Sequence, residues 1–317
     1  MAKRNYVYDI ETYPNFFCAI FKCGSVVHTF EISDRINDLN RFVQFYNDTY
    51  IKYAIGFNNV RFDAQILEWI LKDYEDLSVI HPNKITDYIF RKAQDTIRRS
   101  NDREMMPFFE SKMKVKQLDI FLMLGYNGKA KATSLKWVEY SINYKKVQDL
   151  PLRFDKFVEK DQYDNILKYC LNDVSATEQF VSTKDSTSLI KLRIAQQEQY
   201  PTLSLLNKSD STVGETLFLY EMSKEMDIPM KDLRKMRTHR QPILMKDLIL
   251  PYIKFDIPEF QDVLERFQKS YSNNFEYSMS YRGLETVFGV GGIHASWENR
   301  IFESDDEFII KDLDVNL

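Results

Sequence analysis

At 317 residues, 44% hydrophobic and 28% charged, the chain has the composition of an ordinary globular protein of about two domains. Its net charge of -4 excludes a uniformly basic nucleic-acid coat, and its 9 glycines and 9 prolines spell out no long flexible linker. Three cysteines without a Cys-x-x-Cys pair point to reduced thiols, and the lack of any run of about 18 apolar residues or of a signal peptide in MAKRNYVYD leads us to expect a cytoplasmic protein with no membrane contact.

The segments NYVYDIE, FFCAIFK and SVVHTFEIS are short and rich in aromatic and β-branched residues. Turn signals at Tyr13-Pro14-Asn15 and residues 22–25 separate them, so they read as three strands. Apolar residues at Ile36, Leu39, Phe42, Val43 and Phe45 predict a helix over 33–46, and YAIGFN reads as a fourth strand. From Phe62 onward, Ile66, Leu67, Ile70 and Leu71 form the apolar stripe of a second helix. Residues 85–116 are less regular and basic (Arg91, Lys92, Arg98, Arg99, Arg103, Lys112, Lys114, Lys116), and we read them as an excursion from the fold that guides or separates strands. QLDIFLML reads as a strand, while SLKWVEYSI and DNILKYCLNDVSATEQFV are helical by period. Antiparallel strands followed by helices alternating with strands predict an α/β domain over 1–187, a mixed sheet flanked by helices as in the ribonuclease-H-like fold. Beyond it, helical pieces at 189–198, 211–226 and 257–270 predict a mostly helical region over 188–317. The chain stops at DEFIIKDLDVNL, inside a strand-like apolar run, so we expect it to be cut or to continue elsewhere.

Four acids in three separated segments carry the chemistry. Asp9 and Glu11, two apart on a strand, point to one face and can grip one ion together. Such a pair alone is usually a solvated strand face. Asp63 opens a helix after a strand, where the macrodipole by itself favours an acid. Tyr169 and Asp173 lie four apart on a helix and share a face, which suits a phenol capping its acid or the two together holding a water and a metal. Carboxylates gathered in one cleft need a positive partner, and a pair of divalent ions is the common one for cutting phosphodiester bonds.

These segments, DIETYPNFF, GFNNVRFD and KYCLNDV, resemble the three exonuclease motifs of DEDDy proofreading nucleases, most closely those of bacteriophage family B DNA polymerases. The likeness covers roughly residues 5–180, and ATSLKWVEYSI resembles a segment between the second and third motifs of phage enzymes. It implies a 3′–5′ exonuclease that releases nucleoside monophosphates from single-stranded or frayed DNA 3′ ends. Asp9, Glu11 and Asp173 would bind one Mg²⁺, and Asp9 with Asp63, directly or through water, a second about 3.5–4 Å away, with Mn²⁺ able to substitute. Tyr169 would orient the attacking water. Asn59 or Asn58 would contact the terminal nucleotides, Phe62 would pack against a base or the core, and Lys145 and Lys146 stand where some relatives place a phosphate-contacting lysine.

A weaker likeness follows. VFGVGGIHA (Gly291, Gly292, His294) resembles the segment joining exonuclease and polymerase regions, and IIKDLDVNL, with Asp314, resembles the approach to the first polymerase carboxylate motif. The later polymerase motifs do not occur, so this chain alone is not expected to synthesise DNA. The rival readings are a split-polymerase subunit that docks a chain carrying the missing motifs, and a free-standing RNA exonuclease. Arg234, Lys235, Arg237, His239 and Arg240 form a basic run able to track a DNA backbone or simply to face water. His28, His81, His239 and His294 show no metal-ligand spacing and are read as structural.

Overall fold

The computed structural model describes residues 3–47, 50–127, 133–236, 241–272, 276–281, 284–289 and 292–296. Strands β1 (Arg4–Tyr13), β2 (Phe16–Cys23) and β3 (Val26–Ile32) form an antiparallel meander. Gly24, at φ +61, supplies the left-handed residue of the second turn. On its other edge β1 pairs in parallel with β4 (Ile51–Gly56), and β4 pairs in parallel with β5 (Gln117–Asp119). The result is a mixed five-stranded sheet in the order β3-β2-β1-β4-β5.

The period-two alternation of β1 sorts its side chains between two cores. Tyr6, Tyr8 and Ile10 join Phe17, Ala19, Phe21 and residues of helices α1 (Leu39–Asn47), α2 (Asp63–Lys72), α3 (Tyr74–Ser78) and α4 (Pro82–Asn101). Val7 and Tyr13 face the other way. Short helices α5 (Ile120–Met123) and α6 (Leu135–Ser141) precede α7 (Tyr163–Val181), which lays Tyr163, Ile166, Cys170 and Val174 on that second face. The chain is therefore α/β, with a mixed sheet covered by helices on both faces. Cys18, Cys23 and Cys170 are free thiols.

Three expectations change. The first helix begins at Leu39, because the Ser33 hydroxyl accepts the Arg35 amide, Ser33 N–H donates to Ile36 O, and Ile36 is left exposed. The basic excursion is largely α4, a 20-residue helix that buries Ile85, Thr86, Ile89, Ala93 and Thr96 against the sheet. Its arginines are paired locally, Arg91 with Asp87, Arg98 with Asp95 and Glu104, and Arg99 with Asp95, so they are not a bare track for a strand. His81 caps that helix by accepting the Asn83 amide, and Pro82 fills its first position. The run QLDIFLML splits after three residues, because Asp119 accepts the Leu122 amide and turns the strand into α5.

By contacts the chain divides into two compact units, Met1–Met230 and Lys231–Leu317. Helices α8 (Lys184–Gln199) and α9 (Asp210–Met226) belong to the first, so the break falls well beyond the change of texture near 187. Ile190 and Leu206 enter the core under α7, and Asn207 accepts the Asp119 amide while donating to Gln117 O. After α10 (Met230–Leu233), the second unit has α11 (Pro258–Gln268) and an antiparallel sheet of β6 (Glu276–Tyr281), β7 (Leu284–Gly289) and β8 (Gly292–Ser296), around Val263, Phe267 and Phe288. That sheet departs from the mostly helical expectation. Gly292 and His294 lie in β8, whereas Gly291, Arg237, His239, Arg240 and Asp314 lie outside the described residues. Among the described residues no helix is long and apolar enough to cross a membrane.

Candidate active site

Asp9 and Glu11 share the face of β1 that carries Val7 and Tyr13, so the alternation that buries those two aims both acids at α7. The helix is seated there by its apolar stripe, and the Cys170 thiol donates to Asp9 O at 3.6 Å. Asp173 follows one turn after Tyr169, which brings both side chains to the acids of β1. The Tyr169 hydroxyl donates to the Asp173 carboxylate.

Asp63 arrives from the other edge. Pairing of β1 with β4 covers only Arg4 to Val7, so beyond that point the β1 amides on this edge have no strand partner, while the other edge stays paired with β2. The Ile10 amide donates to the Asp63 carboxylate, and Asp63 also hydrogen-bonds with Asp9. The turn that delivers Asp63 is itself fastened by a buried acid that the motif reading missed. Asp119 accepts the Asn58 amide at 2.9 Å and the Val60 amide at 3.0 Å. Asn58 sits at φ +62, a conformation that asparagine tolerates better than most residues. Gly56 is needed because a Cβ there would stand 2.7 Å from Asn59 Cβ.

Burial is the first cause of the unusual acidity in this cluster, and mutual repulsion adds to it. Asp9 is pushed well above the carboxylate range by burial, then by Asp63, Glu11 and Asp173. Glu11 rises to about 8 through burial, Asp173 and Asp63, with Lys136 opposing. Asp63 rises to about 7, burial outweighing the hydrogen bonds that favour its charge. Asp173 is also raised by burial, against the pull of Lys136, Tyr169 and Asn172. Asp63 Oδ1 is buried and has no hydrogen-bond partner. Among the described residues no group of three or more His, Cys, Asp or Glu side chains stands ready-arranged to hold a metal ion. One cation already occupies part of the space: Lys136 Nζ lies 2.8 Å from Asp173 Oδ1.

Lys136 is the second residue that the motif reading passed over, although it lies within ATSLKWVEYSI. Ser134 caps α6 by accepting the Trp137 amide, which fixes the helix start and places Lys136 in its first turn. The same ammonium lies 3.3 Å from Glu139 Oε1 and 4.9 Å from the centre of the Tyr169 ring. Burial works against its charge, but Asp173 and Glu139 prevail and raise its pKa. The usable signal was a lysine followed three residues later by a glutamate behind a helix-capping serine. On the same helix Trp137 and Tyr140 stack at 5.8 Å, and both are about half exposed, at 47% and 53%.

The proposed nucleic-acid contacts divide. Asn59 is buried and donates to Tyr8 Oη and Gln117 Oε1 inside the sheet network, so its side chain serves the fold in this state. Asn58 is partly exposed, with its backbone committed to Asp119. Phe62 is partly buried against the first core. Lys145 and Lys146 are exposed, and Asn172, beside Asp173, donates to Lys146 O at 2.9 Å, which ties that loop to the rim of the cluster. A cavity of about 290 Å³ borders Val60, Arg61 and Phe109 and is lined by none of the four acids, so it does not enclose their chemistry.

Searched against protein-family models, curated proteins and solved structures, the chain finds no match.

Proposed function

We propose that the acid cluster is the catalytic centre of a divalent-cation-dependent 3′–5′ exonuclease acting on single-stranded or frayed DNA, within a ribonuclease-H-like fold. The observation that carries this reading is the convergence of Asp9, Glu11, Asp63 and Asp173 from three distant segments into one largely buried cluster of acids with raised pKa values, Asp63 and Asp173 buried and Asp9 and Glu11 partly so. Such an arrangement is costly unless cations enter it. The residues fit that role, since Asp63 Oδ1 is a buried acceptor without a partner and the donor set is all oxygen, which suits Mg²⁺ or Mn²⁺. When bound, such cations acidify an attacking water and neutralise charge on the scissile phosphate.

The chain's own groups then have defined tasks. Asp9 feels Asp63, Glu11 and Asp173 alike and hydrogen-bonds with Asp63, which supports giving it a share in both ion sites. Tyr169 has its acidity suppressed by burial and by Asp173, so it remains a hydrogen-bond donor at neutral pH and can hold a water beside that acid. Trp137 and Tyr140 offer open ring faces on the helix that touches the cluster, which suits unpaired bases rather than a closed duplex. Polarity and the choice of DNA rest on the resemblance of the three motifs to phage proofreading enzymes, as does the setting, the cytoplasm of a host cell. On the same ground the chain is one part of a polymerase, whose catalytic motifs would come from a C-terminal continuation or a separate chain.

The test is a time course on 3′-labelled and 5′-labelled single strands with Mg²⁺, alongside chelator and Asp9→Ala controls. Stepwise loss from the 3′ end, abolished by both controls, is the expected result. Activity that survives Asp9→Ala would remove the site assignment, and equal rates on an RNA strand of the same sequence would remove the DNA preference.

A further inference from the structure

Glu139 has no task in the reaction outlined above, yet it is one of the most completely buried acids in the chain, with 0% exposure. One of its oxygens, Oε1, lies 3.3 Å from Lys136 Nζ, and the other, Oε2, is buried with no partner at all. A carboxylate oxygen sealed from water without a donor is costly and demands a reason. An ammonium carries three donors, and Lys136 divides its own between Asp173 at 2.8 Å and Glu139 at 3.3 Å. The lysine is held to the shorter contact, and the longer one is under-used. Since Asp173 is among the acids assigned to cation binding, an ion that takes its Oδ1 competes there with the ammonium.

We propose that Glu139 is the receiving site for Lys136: when a divalent cation takes Asp173, the ammonium passes to Glu139, whose unpartnered oxygen accepts it. The inference rests on the cation-binding reading of the four acids. Glu139 and Lys136 are positioning residues under it, since neither touches the ion. The exchange starts from a contact already made, since Lys136 Nζ lies 3.3 Å from Glu139 Oε1, and the unpartnered Oε2 belongs to the same carboxylate. It gives the cluster a built-in counter-charge that screens its repulsion before ions arrive and is kept nearby, on buried oxygen, once they have. Without Glu139 the displaced ammonium would have to stay and compete, or leave for water.

The experiment is a titration of the full chain with Mn²⁺, following free Mn²⁺ by its electron paramagnetic resonance signal. Wild type, Glu139→Gln, Lys136→Met and the double variant are compared, with thermal melts in chelator to confirm folding. Glu139→Gln is expected to weaken Mn²⁺ binding by about tenfold, the scale on which outer partners of ligands act. Lys136→Met removes the competitor and is expected to tighten binding. In the Lys136→Met background Glu139→Gln should change affinity by less than about twofold, because the glutamate acts only through the lysine. Equal affinity of Glu139→Gln and wild type overturns the exchange, as does an undiminished loss in the Lys136→Met background, which would make Glu139 a direct ligand. If Glu139→Gln does not fold, Lys136→Met decides alone, tighter binding supporting the exchange and equal or weaker binding overturning it. A folded wild type that binds no Mn²⁺ would instead bring down the cation site itself, and the exchange with it.

Discussion

Replacing Asp63 by asparagine should stabilise the cation-free protein while abolishing hydrolysis. The carboxyl is held at about 7 against an ordinary 3.8, and each tenfold change in proton affinity is worth about 1.4 kcal/mol. Full ionisation therefore costs the folded chain about 4 kcal/mol at most. Asp9 and Glu11 are only partly shielded from water, and water entering the cluster reduces the figure to about 2 kcal/mol. The sign follows from the raised value. The folded state keeps the proton longer than the unfolded one, so the penalty is absent below about pH 4, grows as pH climbs towards 7 and is complete above it. Asparagine still accepts the Ile10 amide and can donate to Asp9, so little else changes. Thermal melts in chelator at pH 5 and pH 8 are the assay. Asp63→Asn is expected to melt about 4–8 °C above wild type at pH 8, with a smaller gap at pH 5. A variant that melts below wild type at pH 8, or with a gap independent of pH, would refute the claim that repulsion and burial strain this cluster.

Glu11, raised from 4.5 to about 8, should make the cation-free wild type lose stability as pH rises across that interval, and saturating Mg²⁺ should flatten the decline; melts across the pH range with and without the ion measure it. Tyr169→Phe keeps the ring beneath Lys136 but removes the donor to Asp173, so hydrolysis should fall by about 10²-fold in single-turnover assays while Mn²⁺ affinity holds. Asp119→Ala strands the Asn58 and Val60 amides, so it should cost about 3 kcal/mol in denaturant melts and weaken Mn²⁺ binding by loosening the turn that presents Asp63. Trp137→Ala with Tyr140→Ala should lose about 1–3 kcal/mol of single-strand affinity per stacked base in fluorescence anisotropy, with duplex affinity unchanged.

How much could be read from residues alone follows from the range of the forces involved. Period-two alternation in β1 and the i, i+4 relation of Tyr169 and Asp173 are local, so the facing of each acid could be read along the chain. So could the strands β1 to β4 and the helices α2, α6 and α7. α4 escaped because its apolar stripe of Ile85, Ile89 and Ala93 is narrow and embedded in paired charges that only the folded helix brings together. The early end of β5 escaped because Asp119 is committed both to the Leu122 amide and to a turn some sixty residues earlier, and the second contact is non-local, so no periodicity in QLDIFLML records it. Asn59 shows the same limit from the other direction: its residue type suited a nucleotide contact, and burial beside Tyr8 and Gln117 claimed it for the core. Lys136 and Glu139 are the clearest case. Three residues apart, they look like any surface helix pair, and only the docking of α6 against α7 turns one into a counter-ion for Asp173 and seals the other from water. Residue order thus determined which side chains could meet, while tertiary packing decided which of them share a low-dielectric pocket, where a charge must find a partner.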